Sequence, residues 1–166
     1  FRLNGEQRRR GVERLKVGSA LLFCFPGSPT VYYGDEAGME GFEDPFNRRT
    51  YPWGQEDKEL LDWYAALGRL RREHQALQIG SIEYLFDSGD LLVFSRREGQ
   101  ETVLCACNAG EQPQTCLLDF PATPLLGECT VEPREEGYAL TLPPRSAAVL
   151  LKGLETPCAP MGATAD

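Results

Sequence analysis

The stretch Pro26-Gly27-Ser28-Pro29-Thr30-Val31-Tyr32-Tyr33-Gly34-Asp35-Glu36-Ala37-Gly38-Met39 changes character twice within fourteen residues. Its first four residues are a strong break, because Pro lacks a backbone donor and Gly supplies turn geometry. Thr30–Tyr33 is short, continuously apolar, β-branched and aromatic, the pattern of a buried strand. Gly34 and Gly38 then open a segment of little periodicity that runs to about Glu56.

Upstream, Gln7 to Phe25 reads as a helix that becomes steadily more apolar, from Arg8, Arg9, Arg10, Glu13, Arg14 and Lys16 to Ala20-Leu21-Leu22-Phe23. The arginine run reads as a solvated helix face rather than an anion-binding patch. Helix, tight turn and strand in that order predict an α/β unit feeding a parallel sheet. The segment after the strand carries Gly41, Pro45, Pro52 and Gly54 among Asp35, Glu36, Glu40, Glu43 and Asp44. Loops of this length are uncommon in compact domains unless they are functional, and α/β folds place their sites at the carboxyl ends of strands.

Downstream, Leu60, Trp63, Tyr64, Leu67, Leu70, His74 and Leu77 recur at three- and four-residue spacing and predict a helix over Lys58–Leu77. His74 falls on the stripe and reads as a packed, hydrogen-bonded helix-end histidine, because a catalytic base needs a positioned partner and none is in view. After Gly80 the texture becomes short strands. Candidates are Ile82–Phe86, Leu91–Arg96, Thr102–Asn108, Thr115–Asp119, Cys129–Glu132, Tyr138–Leu142 and Ala147–Leu151, which predict an antiparallel sandwich or open barrel. The organisation expected is thus an α/β segment over 1–79, a β domain over 80–153 and a disordered tail over 154–166.

The 166 residues are 42% hydrophobic and carry 25 Asp and Glu against 17 Lys and Arg, a net charge of −8. That composition excludes a disordered chain and argues against nucleic-acid binding, which needs excess Lys and Arg to displace counterions. The apolar run Val17–Phe25 is far too short to span a bilayer, so no membrane role is expected. With one histidine, a multi-histidine metal site cannot be built. Cys24, Cys105, Cys107, Cys116, Cys129 and Cys158 read best as free thiols, since several lie in apolar runs. Three disulfides or a zinc site fit their spacing less well. No metal and no cofactor is expected, and free cysteines lean towards a cytoplasmic setting, although any signal peptide would lie upstream of Phe1.

The fourteen-residue stretch resembles the α-amylase family of glycoside hydrolases, in which a PG-x-P-x-[IV]-YYGDE-x-G run forms the eighth barrel strand and its exit. Asp44-Pro45-Phe46-Asn47-Arg48-Arg49, with Tyr51-Pro52-Trp53 behind it, is similar to the DP-x-NR…PW stretch of neopullulanase-, cyclomaltodextrinase- and amylopullulanase-like members. Leu70-Arg71-Arg72-Glu73-His74-Gln75-Ala76-Leu77 resembles the family's LR-x-x-HPAL helix, with Gln75 where Pro is usual. The resemblance implies the last α/β segment of a (β/α)8 TIM barrel followed by an all-β antiparallel C-terminal sandwich, an α+β fragment of a longer enzyme. It also implies an α-glucan or malto-oligosaccharide as partner and substrate. By resemblance Asp44 and Arg48 are the substrate-binding residues, gripping a glucose unit on the non-reducing side of the cleaved bond. A carboxylate accepts hydroxyl hydrogens and a guanidinium offers planar donors, and a local ion pair pinning the loop is compatible with that role.

No catalytic residue is expected in the chain. The family's nucleophile Asp, acid Glu and stabilising Asp come from earlier strands, and the stabilising Asp belongs to a His-Asp pair that occurs nowhere here. Asp35 and Glu36 are set aside as a catalytic pair, since neighbours at a strand end point oppositely. The chain alone is therefore expected to be inactive, with residues 1–78, the orphaned barrel segment, either packing anomalously on the sandwich or self-associating. The alternatives are a non-catalytic carbohydrate-binding or structural module, or a catalytically dead amylase-like partner subunit.

Overall fold

The computed structural model describes residues 3–153, so the tail expected to be disordered lies outside the described residues. Helix α1, Gly5–Cys24, starts at Asn4, whose side chain accepts from the Gln7 N–H while the Gln7 side chain accepts from Asn4 N–H. This reciprocal pair satisfies two of the free donors at the helix start. The helix ends at Phe25, where the following Pro26 forbids continuation.

Helix α2, Lys58–Glu73, is N-capped by Asp57 and turns Leu60, Trp63, Tyr64, Leu67 and Leu70 inward. The helix expected to reach Leu77 breaks instead at His74, which has extended backbone angles and joins α2 to the short helix α3, Gln75–Ile79. The break is held from outside. Glu101 accepts from the Ala76 N–H at 2.9 Å through one oxygen and contacts His74 Nδ1 at 2.7 Å through the other. His74 is thus a hydrogen-bonded joint.

Eight strands follow: β1 Ser81–Ser88, β2 Leu91–Glu98, β3 Glu101–Asn108, β4 Gln114–Leu118, β5 Ala122–Leu126, β6 Thr130–Arg134, β7 Gly137–Leu142 and β8 Ser146–Lys152. They make an antiparallel sandwich of a five-stranded sheet, β1-β2-β3-β8-β5, and a three-stranded sheet, β4-β7-β6. The strand missing from the expected set is β5. Pro124 hides it, and Pro is tolerated there because β5 is an edge strand.

Alternation along the central strands explains the layering. Val93, Leu104, Ala106 and Leu150 face the small sheet with Cys116, Leu118, Leu140 and Leu142. Their neighbours Phe94, Val103, Cys105, Cys107 and Val149 face the helices with Val17, Ala20, Cys24, Trp63 and Leu67. A sheet buried on both faces reads as an unbroken apolar run, as 103–107 does. Cys24, Cys105, Cys107, Cys116 and Cys129 are free thiols, the first four of them buried.

The clearest departure from expectation is at Thr30–Tyr33. These residues form no strand, and Tyr32 and Tyr33 are 53% and 44% exposed. A β-branched, aromatic run becomes a strand only when another strand satisfies its backbone groups, and no described strand lies beside it. No described helix is long and apolar enough to cross a membrane.

Two arginines gather the ends of the helices, and the buried one ties them to the sandwich. Arg96 on β2 is 1% exposed and donates to Cys24 O at 2.7 Å, Leu77 O at 3.2 Å and Gly80 O at 2.8 and 3.2 Å. It serves the carboxyl ends of α1 and α3 together, where the helix dipoles favour a cation. Arg71 does the same for the turn after α1, donating to Phe23 O at 2.5 Å and Phe25 O at 3.2 Å, and to Gly27 O.

Candidate functional site

The loop from Gly34 to Asp57 begins where the apolar run ends and returns to the start of α2. Two tight turns start it, with Ala37 N–H and Met39 N–H both donating to Gly34 O at 3.1 and 2.9 Å. Gly34 has φ +92, and a Cβ there would meet Met39 Sδ at 2.2 Å, so only glycine fits. Arg8 of α1 fastens the loop to the helices through Gly38 O at 3.1 Å, Asp57 at 2.9 Å and Glu40 at 3.5 Å. The arginine run on α1 is therefore not uniformly solvated, because Arg8 is half-buried and anchors the loop. Asp57 N–H donates to Ala37 O at 3.0 Å, and Tyr33 Oη donates to Arg49 O at 3.0 Å.

The tip of this fastened loop carries both residues expected to bind substrate. Asp44 Oδ1 meets Arg48 Nε at 2.8 Å, four residues apart, with the side chains 62% and 69% exposed. Turns closed by Phe46 N–H to Glu43 O at 2.9 Å and Arg48 N–H to Pro45 O at 3.1 Å set that spacing. An ion pair this exposed contributes only about 0.2–1 kcal/mol. A polyhydroxyl ligand can therefore replace it at little cost.

Aromatic surface borders the pair. Phe46 is 61% and Trp53 82% exposed, and Tyr51 packs on Trp53 with ring centroids 4.6 Å apart. Beside the pair lies a cavity of about 440 Å³ lined by Phe42, Glu43, Asp44, Phe46 and Arg49. Asp44 reaches this cavity and Arg48 does not line it. Arg49 takes the place on its wall, over the Phe42 ring at 5.8 Å. Arg49 also borders a polar cavity of about 470 Å³ beside Arg8, Glu40, Thr50 and Gln55.

Two residues here escaped the sequence reading. Arg49 stands next to Arg48 in the same motif, and nothing in the spacing distinguishes the two. Asn47 Oδ1 is a buried side-chain oxygen without a hydrogen-bond partner among the described residues. Such an atom costs about 1–3 kcal/mol unless a donor reaches it. Its position inside the Asp44–Arg48 turn was the available signal.

Asp35 and Glu36 do not sit at a strand end, because no strand forms there. They are turn residues. Glu36 Oε2 folds back to accept the Gly34 N–H at 2.9 Å, a local bond that closes the turn. Burial, and secondarily the charge of Glu36, raise the Asp35 carboxyl above its ordinary range.

Residues 83–149 match the family described as "Maltogenic Amylase, C-terminal domain". The chain is 45% identical over 93 residues to the amylopullulanase of Thermoanaerobacter thermohydrosulfuricus, a match covering 55% of this chain and 6% of that protein. It is 32% identical over 142 residues to the cyclomaltodextrinase of Thermoanaerobacter pseudethanolicus, covering 84% of this chain and 25% of the relative. The crystal structure of an Anoxybacillus α-amylase superposes with a TM-score of 0.80 at 33% identity, over 89% of this chain and 34% of the enzyme. A debranching enzyme from Nostoc punctiforme gives 0.77 at 34% identity, over 84% and 31%. The chain spans about a twentieth of the amylopullulanases and about a quarter of the cyclomaltodextrinases it matches. The sandwich built by β1–β8 is thus a maltogenic-amylase C-terminal domain, and the chain is of the kind that forms the C-terminal part of α-amylase-family glycoside hydrolases.

Proposed function

We propose that this chain is the C-terminal portion of an α-glucan hydrolase or transglycosylase. Residues 1–79 supply the last α/β segment of a (β/α)8 barrel and 80–153 the sandwich that follows it. The observation that carries the reading is the exposed Asp44–Arg48 pair at the tip of a loop fastened by Arg8. The pair presents acceptors and donors suited to sugar hydroxyls, beside aromatic rings suited to a sugar face. The exposed, unpaired Thr30–Tyr33 run supports the barrel assignment, because its side chains and backbone suit a strand flanked by others. The same exposed aromatics favour self-association of the chain in isolation.

The catalytic carboxylates lie outside this chain. Retaining glycosidases place two carboxyl groups about 5–5.5 Å apart across the scissile bond. In the loop, Glu36 is turned onto Gly34 and Asp44 onto Arg48. The buried free thiols suit a reducing, cytoplasmic setting.

The test is to assay the purified chain for reducing-sugar release from starch and for maltotriose binding, beside the Asp44→Ala and Arg48→Ala variants. The reading expects no hydrolysis by any of them, with binding by the wild-type chain and loss of it in both variants. Hydrolysis by the chain would overturn the assignment of the carboxylates elsewhere. Binding untouched by either variant would overturn the role of the pair.

A further inference from the structure

A second groove, of about 480 Å³, lies between the helices and the sandwich, and no residue of the 34–57 loop lines it. Its walls include Lys16 on α1, Trp63 on α2, Glu128 between β5 and β6, Pro144 and Arg145 between β7 and β8, and Ser146 at the start of β8. These come from four separate parts of the chain, so the groove exists only when helices and sandwich are docked.

The wall at Arg145 is held under strain. Arg145 has φ +46, a conformation a non-glycine residue adopts at a cost. It is kept there by Nε donating to Glu13 Oε2 at 2.5 Å, by an ion pair with Glu111, and by its N–H donating to Gly110 O at 3.0 Å. These contacts leave Nη2 without an acceptor among the described residues. Ser146 Oγ donates to Pro143 O at 2.7 Å and keeps its own lone pairs for an incoming donor. Lys16 pairs with Glu59 and holds Nζ 5.4 Å from the centroid of the Trp63 ring, with further ammonium protons to give. Glu128 is exposed and has no ion-pair or hydrogen-bond partner among the described residues.

The groove therefore offers fixed donors at Lys16 and Arg145, acceptors at Glu128 and Ser146, and the apolar ring of Pro144. A mixture of both hydrogen-bonding senses beside an apolar surface matches a ring bearing many hydroxyls. It is a poor match for a polyanion, which Glu128 and Glu13 would repel, or for a cation, since no group of three or more potential ligating residues is placed to hold one among the described residues. We propose that this groove is a second, non-catalytic binding site for a short α-glucan. The identity of the sugar rests on the reading under "Proposed function", whereas the groove and its donors and acceptors stand without it.

The experiment is a titration of the chain with maltotriose followed residue by residue by NMR, in the wild type and in Glu128→Ala, Glu128→Gln and Asp44→Ala. Glu128 is exposed, so its variants should keep the fold, and amide spectra away from the groove verify this. The proposal expects shifts at 126–128 and 143–147. Glu128→Ala should weaken the affinity read there about tenfold, the loss expected of a charge-assisted hydrogen bond. Glu128→Gln should weaken it less, and Asp44→Ala should leave it unchanged. Shifts confined to 42–49 would overturn the groove and leave the Asp44–Arg48 reading standing. Shifts at the groove alone would support it while overturning that reading. Shifts at neither would overturn both.

Discussion

Replacing Arg96 by Met keeps the length and packing of the side chain and removes its guanidinium. In the structure that group makes four hydrogen bonds to three carbonyls, those of Cys24, Leu77 and Gly80, and it is 1% exposed. Each buried carbonyl left unsatisfied costs about 1–3 kcal/mol, so three amount to roughly 3–9 kcal/mol. Against this stands the removal of a cation that burial itself penalises. Desolvation by burial, together with the nearby charge of Arg71, lowers the Arg96 pKa from its ordinary value. The penalty for a buried ion is several kcal/mol in real proteins, so the net loss should be about 3 kcal/mol. For a chain of this size that corresponds to a fall in Tm of roughly 6–12 °C. Urea unfolding of wild type and Arg96→Met, with equal slopes in denaturant, measures it. A loss below about 1 kcal/mol would refute the argument that the guanidinium clamps the ends of α1 and α3 to the sheet. Arg96→Lys should recover only part of the loss, because one ammonium cannot span three carbonyls set around a plane.

Three further outcomes follow from particular contacts. Burial alone would push the Glu101 carboxyl up, but the Ala76 N–H and His74 outweigh it and hold it below the ordinary value; a depressed carboxylate stabilises above its unfolded pKa and loses that contribution as pH falls. Glu101→Gln should therefore cost about 1–2 kcal/mol at pH 7 and progressively less as pH falls below the ordinary carboxylate range, read by urea titration at a series of pH values. Gly80→Ala would put a Cβ 2.4 Å from Ala76 O and 2.7 Å from Arg97 O, so the backbone must shift and stability should fall by about 2 kcal/mol or more, measured by thermal unfolding. Trp53→Ala, at a site 82% exposed, should change stability by less than about 0.5 kcal/mol while weakening maltotriose binding at the loop, read by calorimetry and residue-resolved titration together.

Much of the sandwich was legible because its strands are buried by alternation, and alternation is a local property of the chain. The breaks Asp87–Asp90 and Arg97–Gln100 mark hairpins whose ends the structure places within a residue or two. What escaped depends on distant partners. Thr30–Tyr33 has the composition of a strand, yet composition does not supply the neighbour a strand needs. The helix stripe through Leu77 is real as a pattern, but Glu101, twenty-five residues beyond Ala76, takes the N–H that would have continued the helix. Asp44 and Arg48 were visible as a motif, and the structure brings them together. Arg49's place on the cavity wall and the buried oxygen of Asn47 were not, since which of two adjacent arginines turns inward is set by the fold of the loop.

The proposed role of the fastened loop is to present Asp44 and Arg48 to an α-glucan. The most direct measurement is the maltotriose affinity read from residues 42–49 in the wild-type chain and in Asp44→Ala, with unfolding curves to confirm that both are folded. Saturable shifts at 42–49 are expected in the wild type, with an affinity about tenfold weaker in Asp44→Ala at unchanged stability. Equal affinity in the two proteins, or no shifts at 42–49 in the wild type, would contradict that role.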